Sequence, residues 1–261
     1  MTTKDIIILI FCYVDDCMKD AGKHPQAKLY TSELVTIGIL YALKGGSFRA
    51  FYRWLKRDYD DLFGGLPHRT RLRRRLNVHR AWFNRLWADP SFFTVMDTYP
   101  IELLFPIREG RSGQQVGKKG RDKGRWSIGI KLAWLLNEEG QVVAWQWNTL
   151  NTADKHFNSL AVPFIGQTIV LADAGARDTE GVPENIKICP RGTWNERMII
   201  ETAFSMLTLI AHLKHIFERT IPYIESRLAA TLAMFNLLLD LFHQLHPEAD
   251  RFQMSIAEFS L

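Results

Sequence analysis

Phe93-Thr94-Val95-Met96-Asp97 is the stretch on which the fold turns: four residues suited to a buried strand, closing on a carboxylate just before Thr98-Tyr99-Pro100. A short apolar, β-branched run bounded by a proline reads as a strand that leaves its sheet at Asp97. A second run of the same kind, Ile169-Val170-Leu171-Ala172-Asp173, also ends on an aspartate, followed by Ala174-Gly175. If the two strands are sheet neighbours, their ends bring two carboxylates together although they lie 76 positions apart in the chain.

Outward from these runs, residues 126–136 and 141–148 read as strands joined by the polar, glycine-ended turn Asn137-Glu138-Glu139-Gly140. Thr152-Ala153-Asp154 reads as a helix cap, residues 186–189 as a short fifth strand, and the chain from about Asn195 as helical. Residues 224–245 form an apolar helix that packs on the sheet or dimerises. The order β-β-β-α-β-β-α is close to a ribonuclease-H-like α/β core, a mixed five-stranded sheet with flanking helices.

Residues 1–90 read differently, as helices with apolar residues at three and four spacing. Ser32 is placed to cap a helix over residues 33–43 that closes at Gly45-Gly46, a second helix starts at Ser47, and a third carries Arg69 to Leu76. Two short basic helices separated by a turn match a helix-turn-helix, although an amphipathic bundle gives the same pattern. The expected organisation is a helical domain over residues 1–90 and a catalytic α/β domain over 91–261.

Composition narrows the function. The net charge of +5 hides an asymmetry: residues 49–125 hold 18 Lys or Arg against 8 Asp or Glu, and the remainder is net negative. A confined positive field suits a phosphate backbone, because neutralising phosphates releases condensed counterions. Three cysteines, Cys12, Cys17 and Cys189, form no CxxC pair, which argues against a disulfide framework and a structural zinc site. The apolar run Ile6 to Val14 is too short to span a bilayer and lacks the basic start of a secretory signal, so no membrane and a cytoplasmic, nucleoid-associated location are expected.

A third carboxylate, Glu201, follows Asp173 on the expected last helix, set among Ile199, Ile200, Ala203 and Phe204. Three carboxylates around one point repel unless a cation neutralises them, and hard oxygen donors select magnesium or manganese. Two such ions activate the attacking oxygen and stabilise the leaving oxygen of a phosphoryl displacement. Taken singly, a strand-end aspartate is more often a turn or cap. Asp178 lies close to Asp173 as a second candidate, and Asp122 and Asp154 are weaker ones.

The motifs Val95-Met96-Asp97 with Tyr99-Pro100, Leu171-Ala172-Asp173-Ala174-Gly175, and Trp194-Asn195-Glu196-Arg197-Met198-Ile199-Ile200-Glu201 resemble the DDE transposases of bacterial and archaeal insertion sequences, most closely the insertion-sequence 982 family. Relatives of that kind carry Tyr, Arg, Glu and Lys on one face of the last catalytic helix. At those spacings this chain has Trp194, Arg197, Glu201 and Thr208, so the arginine and glutamate match while the tyrosine and lysine do not.

The resemblance implies that Asp97, Asp173 and Glu201 are catalytic and hold Mg2+ or Mn2+. It implies metal-dependent cleavage and strand transfer on double-stranded DNA, with transposon ends and target as partners and a homodimer holding two ends together. Arg71, Arg73, Arg74, Arg75, Lys118, Lys119, Arg121 and Arg197 are the expected DNA contacts. The loop from Arg108 to Arg125, basic and glycine-containing, is expected to be flexible and to close on DNA beside Asp97. Trp126, Trp134, Trp145, Trp147 and Trp194 are candidates to stack on extruded bases, or else fill the core. The alternatives are a catalytically inactive DNA-binding descendant and a host-adapted nuclease.

Overall fold

The computed structural model describes residues 1–122, 124–189, 202–203, 205–207 and 213–261. Four helices come first: α1 (Thr3–Cys17), α2 (Thr31–Lys44), α3 (Phe48–Asp58) and α4 (Arg69–Val78). Six strands follow, β1 (Phe93–Leu104), β2 (Lys118–Asp122), β3 (Arg125–Leu136), β4 (Val142–Thr149), β5 (Ile169–Ala172) and β6 (Ile186–Ile188), and then α5 (Ile221–Leu245). The protein is thus α/β, with a mixed sheet and flanking helices.

The sheet runs β2-β3-β1-β5-β6, with β4 also on β3. β1 lies antiparallel to β3 and parallel to β5, and β5 lies parallel to β6. β2 pairs with β3 over Arg125 to Gly129 and β4 pairs with it over Ile130 to Leu136, so the two share the edge of β3 that faces away from β1. Six strands replace the expected five because β2 forms within the stretch read as a flexible basic loop. Its backbone finds an unused edge of β3 that β4 leaves open, and edge groups that can pair do so.

A further correction concerns β1, which continues seven residues past Asp97 to Leu104. Pro100 does not end it. Glu102 donates its N–H to the carbonyl of Lys214, away from β3, and N–H groups alternate along a strand. The missing N–H of Pro100 therefore falls on the edge that β5, paired only up to Met96, has already left.

Alternation also sorts the two faces. Val95, Ile101, Leu103, Leu132 and Trp134 join α1, α2, α4 and α5 in a continuous main core. Met96, Leu135, Val143, Val170 and Ala172 face a smaller core against short 3-10 segments at Asp154–Leu160 and Val162–Phe164. The expected helix after Asp154 is thus 3-10. α2 starts two residues earlier than a Ser32 cap would set it: Tyr30 is the cap position, its N–H held by Glu33 Oε2 at 2.7 Å, and Ser32 is buried.

α5 is long and apolar enough to cross a membrane by composition, but 78% of its most apolar window is buried inside the fold, so it is a core helix. Asn236 on α5 is 2% exposed and fastens this helix to the sheet. It accepts from the Val142 N–H at 2.7 Å and donates to the carbonyls of Leu86 and Val142, each at 2.8 Å.

Candidate active site

The pairing of β1 with β5 fixes the centre of the site. Val95 stands opposite Leu171 and Met96 opposite Ala172 in parallel register. Asp97 and Asp173 each follow directly on this last pair, Asp97 continuing β1 and Asp173 leading from β5 into a 3-10 turn. Asp97 is half-buried, and by alternation its side chain leaves the sheet on the face of Val95 and Ile101. One of its oxygens accepts from the Thr98 N–H at 2.7 Å. Asp173 is exposed and caps the 3-10 turn Ala174–Ala176, accepting from the Gly175 N–H at 2.8 Å.

A third carboxylate stands beside Asp173. A β-carbon on Gly175 would lie 2.8 Å from Asp154 Oδ2 and 3.0 Å from Asp173 Oδ1, so the residue after Ala174 must be small for both carboxylates to keep their places. Asp154 is not the helix cap that the sequence suggests; no side-chain cap bond forms at that 3-10 segment. Its Oδ1 instead accepts from Lys131 Nζ at 2.9 Å and from Thr98 Oγ1 at 3.0 Å, and Lys131 also donates to the carbonyl of Thr152 at 2.7 Å. The capping geometry loses because a half-buried ammonium is the stronger partner for a carboxylate. The legible signal was Lys131 itself, the one charge within the apolar strand run 128–136.

Asp178 is drawn away from the pair. Its Oδ1 accepts from Lys155 Nζ at 3.1 Å, and this bond, ahead of the Glu180 N–H, holds its carboxyl below the usual range. Glu201 and Arg197, with Trp194 and Thr208, lie outside the described residues. Among the described residues, no three His, Cys, Asp or Glu side chains form a metal-holding group. Two residues later in the chain, Ala203 is buried in the main core with Met206 and Leu207.

The basic residues separate into distinct surfaces. On α4, Arg71 and Arg74 are exposed and Arg75 half-buried, whereas Arg73 turns inward. Its guanidinium lies 4.5 Å over the Tyr223 ring and 3.7 Å from Glu218, a side chain only 3% exposed that also accepts from Tyr41 at 2.6 Å. On α3, Arg49, Arg53, Lys56 and Arg57 are all exposed, with Lys56 paired to Asp60 and Arg57 to Asp58.

Lys118, Lys119 and Arg121 are exposed on β2. They do not lie beside Asp97 as expected, because β1 carries the chain seven residues further, roughly 23 Å at strand rise, before the turn. Of the tryptophans, Trp134 is fully buried, Trp145 and Trp147 pack partly against the core, and Trp126 is 53% exposed.

No protein-family model matches the chain, and no curated protein matches it in sequence.

Proposed function

We propose that this chain is a DDE-type transposase built on a ribonuclease-H-like core, cutting DNA at insertion-sequence ends and joining it to a target. The observation that carries the reading is the register of β1 with β5, whose last pair, Met96 and Ala172, is followed on each strand by an aspartate, from distant parts of the chain. The strand order supports it as well. With β2 set aside, β4-β3-β1-β5-β6 has three antiparallel strands followed by two parallel ones, which is the arrangement such a core requires.

The donor set suits a hard divalent cation, since both side chains offer carboxylate oxygens and Lys131 is committed to Asp154 and Thr152. Asp97, Asp173 and, by the sequence resemblance, Glu201 are the residues that would hold magnesium or manganese, which when bound polarises the scissile phosphate and lowers the pKa of an attacking hydroxyl or water. The protein's own part is positional. Two strands and the tight Gly175 turn fix the carboxylates, and the cations of α3, α4 and β2 bind the DNA backbone away from them. A homodimer holding two DNA ends belongs to the same proposal.

The test is a labelled duplex carrying the DNA that flanks the coding region, incubated with magnesium or manganese and either wild-type protein or Asp97→Ala. Metal-dependent nicking and joining, lost in the variant, is the expected result. Nicking without joining favours the nuclease alternative, and binding without chemistry favours the inactive descendant.

A further inference from the structure

Beyond the carboxylates, the hairpin of β2 and β3 is built as a projecting arm. β1 pairs with β3 only from Ile128 onward and β4 only from Ile130, so Gly120, Arg121 and Asp122 pair with Ser127, Trp126 and Arg125 and with no further strand. The arm is seated firmly at its base. A β-carbon on Gly120 would meet Leu150 Cγ at 2.6 Å and its backbone at 2.9 Å, and one on Gly117 would meet Gly129 Cα at 2.8 Å. Glycine alone permits those approaches, which fixes the direction in which the arm leaves the sheet.

The side chains on the arm are those of a nucleic-acid contact. Lys118, Lys119, Arg121 and Arg125 are exposed, as is Trp126, an indole with no core to fill. Arg121 stands opposite Trp126 in the register, and Lys119 Nζ sits 5.4 Å from the indole centroid, so these two cations share a face with the indole, while Lys118 and Arg125 lie on the other. Among the described side chains, Lys119 lies 3.9 Å from Glu109 in a surface pair that holds weakly, and Arg125, itself 68% exposed, lies 3.6 Å from the largely buried Glu102. A two-stranded β-ribbon fits the major groove of B-DNA, which is about 12 Å wide.

We infer that this ribbon is a groove-binding arm for duplex DNA, with Lys119, Arg121 and Arg125 on the phosphates and Trp126 against sugar and base edges. The inference takes DNA as the partner from the proposed function but does not depend on catalysis. It also sets a distance. Trp126 is eight positions from Trp134, the residue paired with Asp97, which is about 26 Å along the strand and hence roughly eight base pairs of duplex.

The experiment is fluorescence polarisation with a duplex of about 30 base pairs over a salt series from roughly 50 to 200 mM. It compares wild type, the triple variant Lys119→Gln, Arg121→Gln, Arg125→Gln, the single variant Trp126→Ala, and an α3–α4 variant with Arg49, Arg53, Arg71 and Arg74 each changed to Gln. The triple variant should bind about tenfold or more weakly, its log–log salt slope shallower by roughly 0.9 for each phosphate that the protein no longer neutralises. Trp126→Ala should weaken binding with the slope unchanged, because it removes stacking and not charge.

Circular dichroism checks that each variant folds, which the exposure of these side chains favours. Ribbon variants that bind like wild type, or a wild type that does not bind duplex, would overturn the arm. Ribbon-dependent binding without metal-dependent cleavage would leave the arm standing and sink the transposase reading; cleavage with ribbon-independent binding would do the reverse.

Discussion

Replacing Asn236 by leucine should loosen the junction between the helical layer and the sheet while leaving volume nearly unchanged. In the native protein the Asn236 amide closes three hydrogen bonds from a side chain 2% exposed. The Val142 carbonyl keeps a second donor, the Ala88 N–H at 3.0 Å, so its loss is small. The Val142 N–H and the Leu86 carbonyl are stripped of the amide as partner, and each buried orphan costs about 1–3 kcal/mol. The sum is about 3–4 kcal/mol, a large share of the 5–15 kcal/mol typical of a folded protein. At about 2–4 °C per kcal/mol for a chain of this size, Tm should fall by roughly 10 °C. Urea unfolding followed by tryptophan fluorescence gives the free energy, and calorimetry gives Tm. A loss below about 1 kcal/mol would mean that water reaches these groups or that Asn236 does not bridge α5 to β4.

Three further outcomes follow from the same geometry. Arg73→Ala should cost about 2 kcal/mol of stability by stripping Glu218 of a cation and Tyr223 of its stacked guanidinium, whereas Arg71→Ala and Arg74→Ala should leave stability within about 0.5 kcal/mol and weaken only DNA binding; chemical denaturation and polarisation separate the two. Burial, with Glu218 adding and Arg227 opposing, raises the Tyr41 phenol well above its ordinary value. Stability from this group is therefore complete below the unfolded value, about pH 10, and falls as pH rises beyond it by about 1.4 kcal/mol per unit, a slope that Tyr41→Phe should remove. Gly175→Ala should displace Asp154 or Asp173, whose oxygens lie 2.8 and 3.0 Å from the new methyl, and so lower any metal-dependent cleavage more than it lowers Tm.

Much of the architecture was legible because periodicity and turn chemistry agree in this chain. The apolar run ending at Ala172-Asp173, the hairpin closed by Gly140 at φ 77°, and the buried C-terminal helix each follow from local pattern alone. What misled was local chemistry overruled at a distance. Pro100 reads as a strand end, yet its missing N–H faces an edge without a strand partner. The basic segment before Arg125 reads as a loop, yet the uncovered edge of β3 recruits five of its residues. Asp154 reads as a cap because a sequence does not reveal that Lys131, 23 positions away, will reach it first. Arg73 reads as one arginine among five on α4, and only the packing of Glu218 and Tyr223 sets it apart.

Whether Asp97 and Asp173 hold one divalent ion between them can be read by letting that ion cut the polypeptide. Iron(II) in place of magnesium, with ascorbate and peroxide, generates radicals that cleave the chain beside the bound metal. Cleavage confined to the neighbourhoods of Asp97 and Asp173, competed away by magnesium and lost in Asp97→Asn, is the predicted result. Cleavage elsewhere, at Asp178 for example, or a pattern indifferent to Asp97→Asn, would contradict it.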